Sequence, residues 1–219
     1  MSATFHRKVF WAGCNLAQKM IISQNSLPWR EKRTPYRVFL AELLLVRTRA
    51  DVVARIYEDI FKRYSDIYKL ANADENELRV ALYPLGLSKR IPYFINAARY
   101  ICDTHDGIIP HDMDALLKVP GVGMYTASAI GIFAYNQKAV PLDVNILRFL
   151  ARLTGLVMEN KTKGSKELRE LASELSESRT GLRTEVLLDF TRLVCRPRNP
   201  ICGQCCLTRR CTYFRENKQ

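Results

Sequence analysis

The 219 residues carry 34 Lys plus Arg against 22 Asp plus Glu, a formal net charge of +12 that points to a polyanionic partner or an anionic surface. With 47% apolar residues and only 10 Gly and 9 Pro, the composition excludes a disordered tail or a collagen-like fibre and supports one large or two small domains. The longest apolar stretches, Val38 to Val46 and Ala127 to Tyr135, fall far short of the roughly 20 residues a bilayer span requires, so no transmembrane helix and no membrane partner are predicted.

From the N-terminus, the first 30 residues lack Asp and Glu, as a transit peptide does, yet Phe5, Val9, Leu16 and Met20 form the stripe of an amphipathic helix, and a structural helix is the reading taken. Apolar residues then recur at helical spacing: Phe39, Leu43, Val46; Val53, Ile56, Ile60; Ile91, Phe94, Ile95, Ala98; Leu168, Leu171, Leu175; Val186, Leu187, Phe190, Val194. The fold class is all α. Breaks at 25–35, 83–87, 106–110, 120–123, 137–141 and 159–164 divide the chain into about ten helices.

Three segments carry chemistry. Leu116-Leu117-Lys118-Val119-Pro120-Gly121-Val122-Gly123-Met124-Tyr125-Thr126-Ala127 joins two helices through a turn whose glycines permit positive φ and leave backbone N–H groups uncovered at a helix start. Such a turn is either a phosphate-sized anion site or a plain helix hairpin, and the net charge favours the first. Asp143 precedes an apolar helix with Ile146, Leu147, Leu150 and Leu153, the position of an ordinary N-cap, but the 20 residues separating it from Gly123 allow it to lie beside DNA held by the turn.

The tail holds five of the seven cysteines, four of them spaced C-x6-C-x2-C-x5-C as Cys195, Cys202, Cys205 and Cys211. That distribution is wrong for a secreted disulfide framework and implies a reducing compartment, cytoplasmic or nucleoid-associated. Four thiolates suit a tetrahedral zinc or an iron-sulfur cluster, and spacing alone does not separate the two. A cross-link here would order a segment too polar to fold alone and leave Arg196, Arg198 and Asn199 facing phosphate, with Cys206 outside the ligand set.

The order LxxPGVGxYTA, a carboxylate 20 residues later, then the cysteine spacing, resembles the helix-hairpin-helix DNA glycosylases of the endonuclease III superfamily. Leu27-Pro28-Trp29-Arg30, Thr34-Pro35-Tyr36 and Leu40-Ala41-Glu42-Leu43-Leu44-Leu45-Val46-Arg47-Thr48 resemble its mismatch-specific branch, which removes thymine or adenine. The resemblance implies that Asp143 acts on the anomeric carbon of a flipped nucleotide and that Gly121, Val122, Gly123 and Thr126 bind the DNA backbone. It implies further that the four cysteines hold a 4Fe-4S cluster and that Glu42, desolvated among leucines, protonates or hydrogen-bonds the leaving base. Arg47 corresponds to a side chain that fills the gap left by the flipped nucleotide, and Leu87 to a wedge on the opposite strand. Tyr125 stands where strand-cleaving relatives carry a Schiff-base Lys, and a phenol cannot form that imine.

The resulting expectation is a monomeric, two-lobed enzyme, with 25–138 as a helical lobe ending in the hairpin, 1–24 plus 139–219 as the cluster lobe, and the active site in the cleft between them. Its substrate is double-stranded DNA with thymine or uracil opposite guanine, and the reaction is hydrolysis without strand cleavage. Ser88 replaces the Tyr typical of the adenine branch, and only eight residues follow Cys211 where that branch carries a further domain. Adenine excision is the alternative within the enzyme class. A non-catalytic DNA-binding module is the alternative outside it, disfavoured because neither Asp143 nor Glu42 assists binding to a polyanion.

Overall fold

The computed structural model describes residues 27–137, 143–159, 164–176 and 181–217; the expected N-terminal helix lies outside them. Among the described residues there are twelve α-helices, four short 3-10 turns and no strand, the one extended pairing being an isolated bridge between Met158 and Gly164. The count exceeds ten because Pro28–Glu31, Ile67–Ala71 and Thr212–Glu216 are helices of four or five residues, too short to show a period. No described helix is long and apolar enough to cross a membrane. The chain divides into two compact units, and the boundary falls between Asn136 and Gln137.

In the unit spanning 26–136 the helices are α1 (Pro28–Glu31), α2 (Pro35–Leu45), α3 (Ala50–Arg63), α4 (Ile67–Ala71), α5 (Glu75–Leu82), α6 (Ile91–His105), α7 (Met113–Lys118) and α8 (Met124–Tyr135). Thr34 caps α2 by accepting from the Arg37 N–H, and Pro35 supplies a first-turn φ that suits a helix start. Phe39, Leu40, Ala41, Leu43 and Leu44 are all buried, so α2 has no solvent face and forms the centre of the unit, packed against α3 and α8. Helix α8 matches it with Ala127, Ala129, Ile130 and Ile132, small and branched residues that let two helices approach closely. Around them, Trp29 meets Tyr57 edge-on at 5.3 Å, and the Tyr57 hydroxyl donates to the Arg37 carbonyl at 2.8 Å.

In the second unit α9 (Val144–Thr154) packs against α10 (Lys166–Ser176), α11 (Gly181–Leu193) and α12 (Thr212–Glu216). Its core gathers Ile146, Phe149, Leu150, Leu168, Ala172, Leu187 and Phe190, with Leu207 contributed by the cysteine tail. Gly155 ends α9 at φ 81°, a left-handed position that suits glycine.

Candidate functional site: hairpin, carboxylates and cysteine pocket

The hairpin is built by two caps and two anchors. Asp112 starts α7 by accepting from the Ala115 N–H at 2.9 Å, and Val119 and Val122 are buried on either side of the turn. Gly121 has φ 78°, and a Cβ there would lie 3.2 Å from the Cβ of Tyr93, so the fold itself requires glycine. Gly123 differs from the expectation of positive φ: it caps α8 in an extended conformation, φ −98° and ψ 177°, and a Cβ on it would meet nothing. Glycine is among the favoured residues at a helix N-cap, and with no side chain it also leaves the start of α8 open to a ligand.

One contact expected at the turn is corrected, and a second is narrowed to the backbone. The Val122 amide donates to the Val119 carbonyl at 3.0 Å and its side chain is buried, so it has no N–H to offer an anion. The Thr126 side chain is buried, leaving only its first-turn amide for a ligand. Among the described residues the Gly121 and Gly123 amides donate to no acceptor. Gly123→Ala is expected to cost about 0.5–1 kcal/mol as a poorer N-cap and to weaken duplex binding beyond that. Gly121→Ala is expected to lower stability by about 1–2 kcal/mol, which thermal unfolding alone would register.

Glu42 is buried in the middle of α2, as its leucine neighbours suggest, and Tyr125 is the second residue of α8, about one-third exposed. Arg47 is exposed just beyond α2 and has φ 59°. Leu87 is 5% exposed and belongs to the core of its unit, so it does not stand out from the surface of the free protein. The turn that carries it folds over Gly86, at φ 67°, and directs Leu87 inward.

Asp143 does cap α9, with Oδ1 accepting from the Ile146 N–H at 2.8 Å. Its other oxygen, Oδ2, accepts from the Asn145 amide at 2.5 Å. Asn145 Oδ1 in turn accepts from Arg148 Nη1 at 2.8 Å, and Arg148 Nη2 donates to the carbonyls of Thr191 at 3.2 Å and Cys195 at 3.0 Å. Burial pulls the Arg148 guanidinium below its ordinary value, while charge on Cys195 and Asp143 acts in the opposite direction. One chain of hydrogen bonds thus links the carboxylate to the first cysteine of the tail. Asn145 and Arg148 went unassigned on sequence grounds; the available signal was an Asn and an Arg three positions apart at the head of an otherwise apolar helix.

Cys195, Cys202, Cys205 and Cys211 line a single pocket, walled by Phe149, Leu153, Phe190 and Ile201. Cys206 does not line it. Burial pushes the Cys205 thiol up to about 12, and burial also raises Cys206 and Cys211, so these sulfurs become thiolates only beside compensating positive charge. Arg152 organises the loop, donating to the carbonyls of Arg196 at 2.7 Å and Pro197 at 3.0 Å while its guanidinium lies 4.7 Å over the Tyr213 ring. Arg196 and Arg198 are exposed on that loop. Among the described residues no three His, Cys, Asp or Glu side chains are disposed to hold a metal ion. Four thiols lining one pocket are the donor set of either a zinc ion or an iron-sulfur cluster.

A profile describing the HhH-GPD superfamily base excision DNA repair proteins matches residues 40–177. The chain is 32% identical over 193 residues to a thymine/uracil-DNA glycosylase of Methanothermobacter thermautotrophicus, covering 87% of each protein. It is 28% identical over 195 residues to an adenine DNA glycosylase of Buchnera aphidicola subsp. Baizongia pistaciae, covering 89% of this chain and 56% of that one. Among solved structures, a thermostable thymine-DNA glycosylase superposes with a TM-score of 0.88 at 30% identity, covering 99% of this chain and 100% of that chain. With more than half its length matched by the profile, the chain belongs to the HhH-GPD superfamily of base excision DNA repair proteins.

Proposed function

We propose that this protein is a mismatch DNA glycosylase that removes thymine or uracil opposite guanine from duplex DNA by hydrolysis, leaving the strand intact. The observation that carries the reading is the Asp143 carboxylate, held at both oxygens by the Ile146 amide and Asn145. As the bond between the base and the sugar breaks, its electron pair leaves with the base and positive charge develops on the anomeric carbon. A fixed carboxylate stabilises that charge without reorganising and accepts the proton of the attacking water. Glu42 serves the departing base as a hydrogen-bond or proton donor, a role suited to a buried acid. Tyr125 has no amine with which to attack the sugar, so the product is an intact abasic site.

The reading includes a 4Fe-4S cluster on Cys195, Cys202, Cys205 and Cys211; when bound, it cross-links the tail and keeps the Arg196 and Arg198 loop in place. Similarity to thymine/uracil glycosylases over most of both chains supports the choice of base. The test is single-turnover incubation with duplexes bearing G·T, G·U, G·A and oxidised-guanine·A pairs, with and without later alkali. Expected are strand breaks from G·T and G·U after alkali only, and no borohydride-trapped adduct. Preferential cutting at adenine would overturn the pyrimidine assignment, breaks at neutral pH would overturn the hydrolytic one, and binding without excision would establish a non-catalytic module.

A further inference from the structure

Arg90 holds a buried donor that no acceptor among the described residues satisfies. It closes the turn that begins at Leu85, donating its N–H to the Leu87 carbonyl at 2.8 Å, and Arg79 Nη1 braces the same turn through the Ser88 carbonyl at 3.1 Å. The buried Leu87 serves as the anchor of this turn. Arg90 therefore stands at the head of the 15-residue α6, the positive end of the helix dipole, where a cation is least favoured. Its Nη1 is buried and has no hydrogen-bond partner.

The neighbouring cation adds to the cost. Burial first, and then the neighbouring Arg47 cation, hold the Arg90 guanidinium below its ordinary value. Tyr93, half exposed, acts on the same guanidinium in the opposite direction, favouring its charge, and packs against the hairpin at Gly121. Three terms thus disfavour Arg90 in the free protein: an unsatisfied buried donor, a like charge and a helix N-terminus. A bound anion reverses all three.

We propose that Arg90 forms a seat for one backbone phosphate of the duplex, beside the hairpin and additional to its amides. The inference rests on the duplex-binding reading above. A free phosphate would satisfy the same donors, but adjacency to the hairpin through Tyr93 favours a phosphodiester of the same strand of DNA.

The test compares the wild-type protein with Arg90→Met and Arg90→Lys in mismatched-duplex binding from 50 to 300 mM salt and in thermal unfolding. Loss of one phosphate contact is expected to reduce the slope of log affinity against log salt by about one in Arg90→Met. Its affinity is expected to fall roughly tenfold at intermediate salt, as for one charge-assisted hydrogen bond. Arg90→Lys keeps the slope, since the charge remains. The unfolding midpoint of Arg90→Met is expected to stay level or rise, because the unpaired buried charge is gone while the side-chain length is kept. A lower midpoint with an unchanged slope would make Arg90 structural and overturn the seat, as would no change in either. If Arg90→Met fails to fold, a scan with single neutral methylphosphonate linkages compares wild type with Arg90→Gln: the seat predicts one linkage that costs affinity in wild type and costs nothing further in Arg90→Gln, and equal costs at every linkage in both proteins would overturn it. Competition by millimolar inorganic phosphate at constant ionic strength would assign the seat to free phosphate instead. Absence of any salt-dependent duplex binding by wild type would remove the nucleic-acid reading itself, an outcome distinct from an unchanged slope in the variant.

Discussion

Asp143→Asn is expected to bind mismatched duplex at least as tightly as the parent and to excise the base slower by a factor on the order of 10³. The fold survives because Asn is as good an N-cap as Asp, so the Ile146 N–H keeps its acceptor. The negative charge that balances a cationic sugar is lost, and the DNA surface sheds one repulsion. Asn145→Ala tests the positioning of the carboxylate. It releases Oδ2 and leaves Arg148 Nη1 without its side-chain acceptor, and excision is expected to slow by roughly 10–100-fold under single-turnover conditions. Duplex affinity and metal content should not change, whereas a structural role would lower both together. Asn145→Ser, with a hydroxyl able to donate toward Asp143, should recover part of the rate. Excision by Asp143→Asn near the parental rate would remove the carboxylate from the mechanism.

Loss of the cysteine-bound group is expected to have the largest effect on stability. The purified protein should contain iron and acid-labile sulfide and absorb visible light, and Cys205→Ser should lose all three. Structural metal binding supplies many kcal/mol of folding free energy, and at about 2–4 °C per kcal/mol for a chain of this size the unfolding midpoint should fall by roughly 10 °C or more. Duplex affinity should fall with it, since Arg196 and Arg198 lie on the same loop. Cys206→Ser should leave metal content unchanged, because Cys206 does not line the pocket. Zinc without iron in elemental analysis would overturn the cluster.

Helix periodicity, the hairpin, the capping position of Asp143 and the cysteine spacing were all legible in the chain, because each depends on residues within one or two turns of one another. Burial of Glu42 was legible for the same reason, since its neighbours on α2 are leucines on every side. Local pattern also set its own limit: a Gly-Leu pair reads the same whether the leucine points outward or, as Leu87 does, into the core. The Val122 amide was likewise ambiguous until the turn closed on the Val119 carbonyl.

What the tertiary structure alone decided are the contacts made between distant parts of the chain. Arg148 reaches Thr191 and Cys195 across 43 and 47 positions, and so converts an N-cap aspartate into one end of a network that begins at the cysteine pocket. Tyr93 meets Gly121 across 28 positions only because the head of α6 packs beside the hairpin, a contact that no sequence period relates. Residue spacing encodes which side chains share a helix face, since the backbone repeats every 3.6 residues. It does not encode which donor finds which acceptor after the helices pack, because that choice depends on distances set by the whole core.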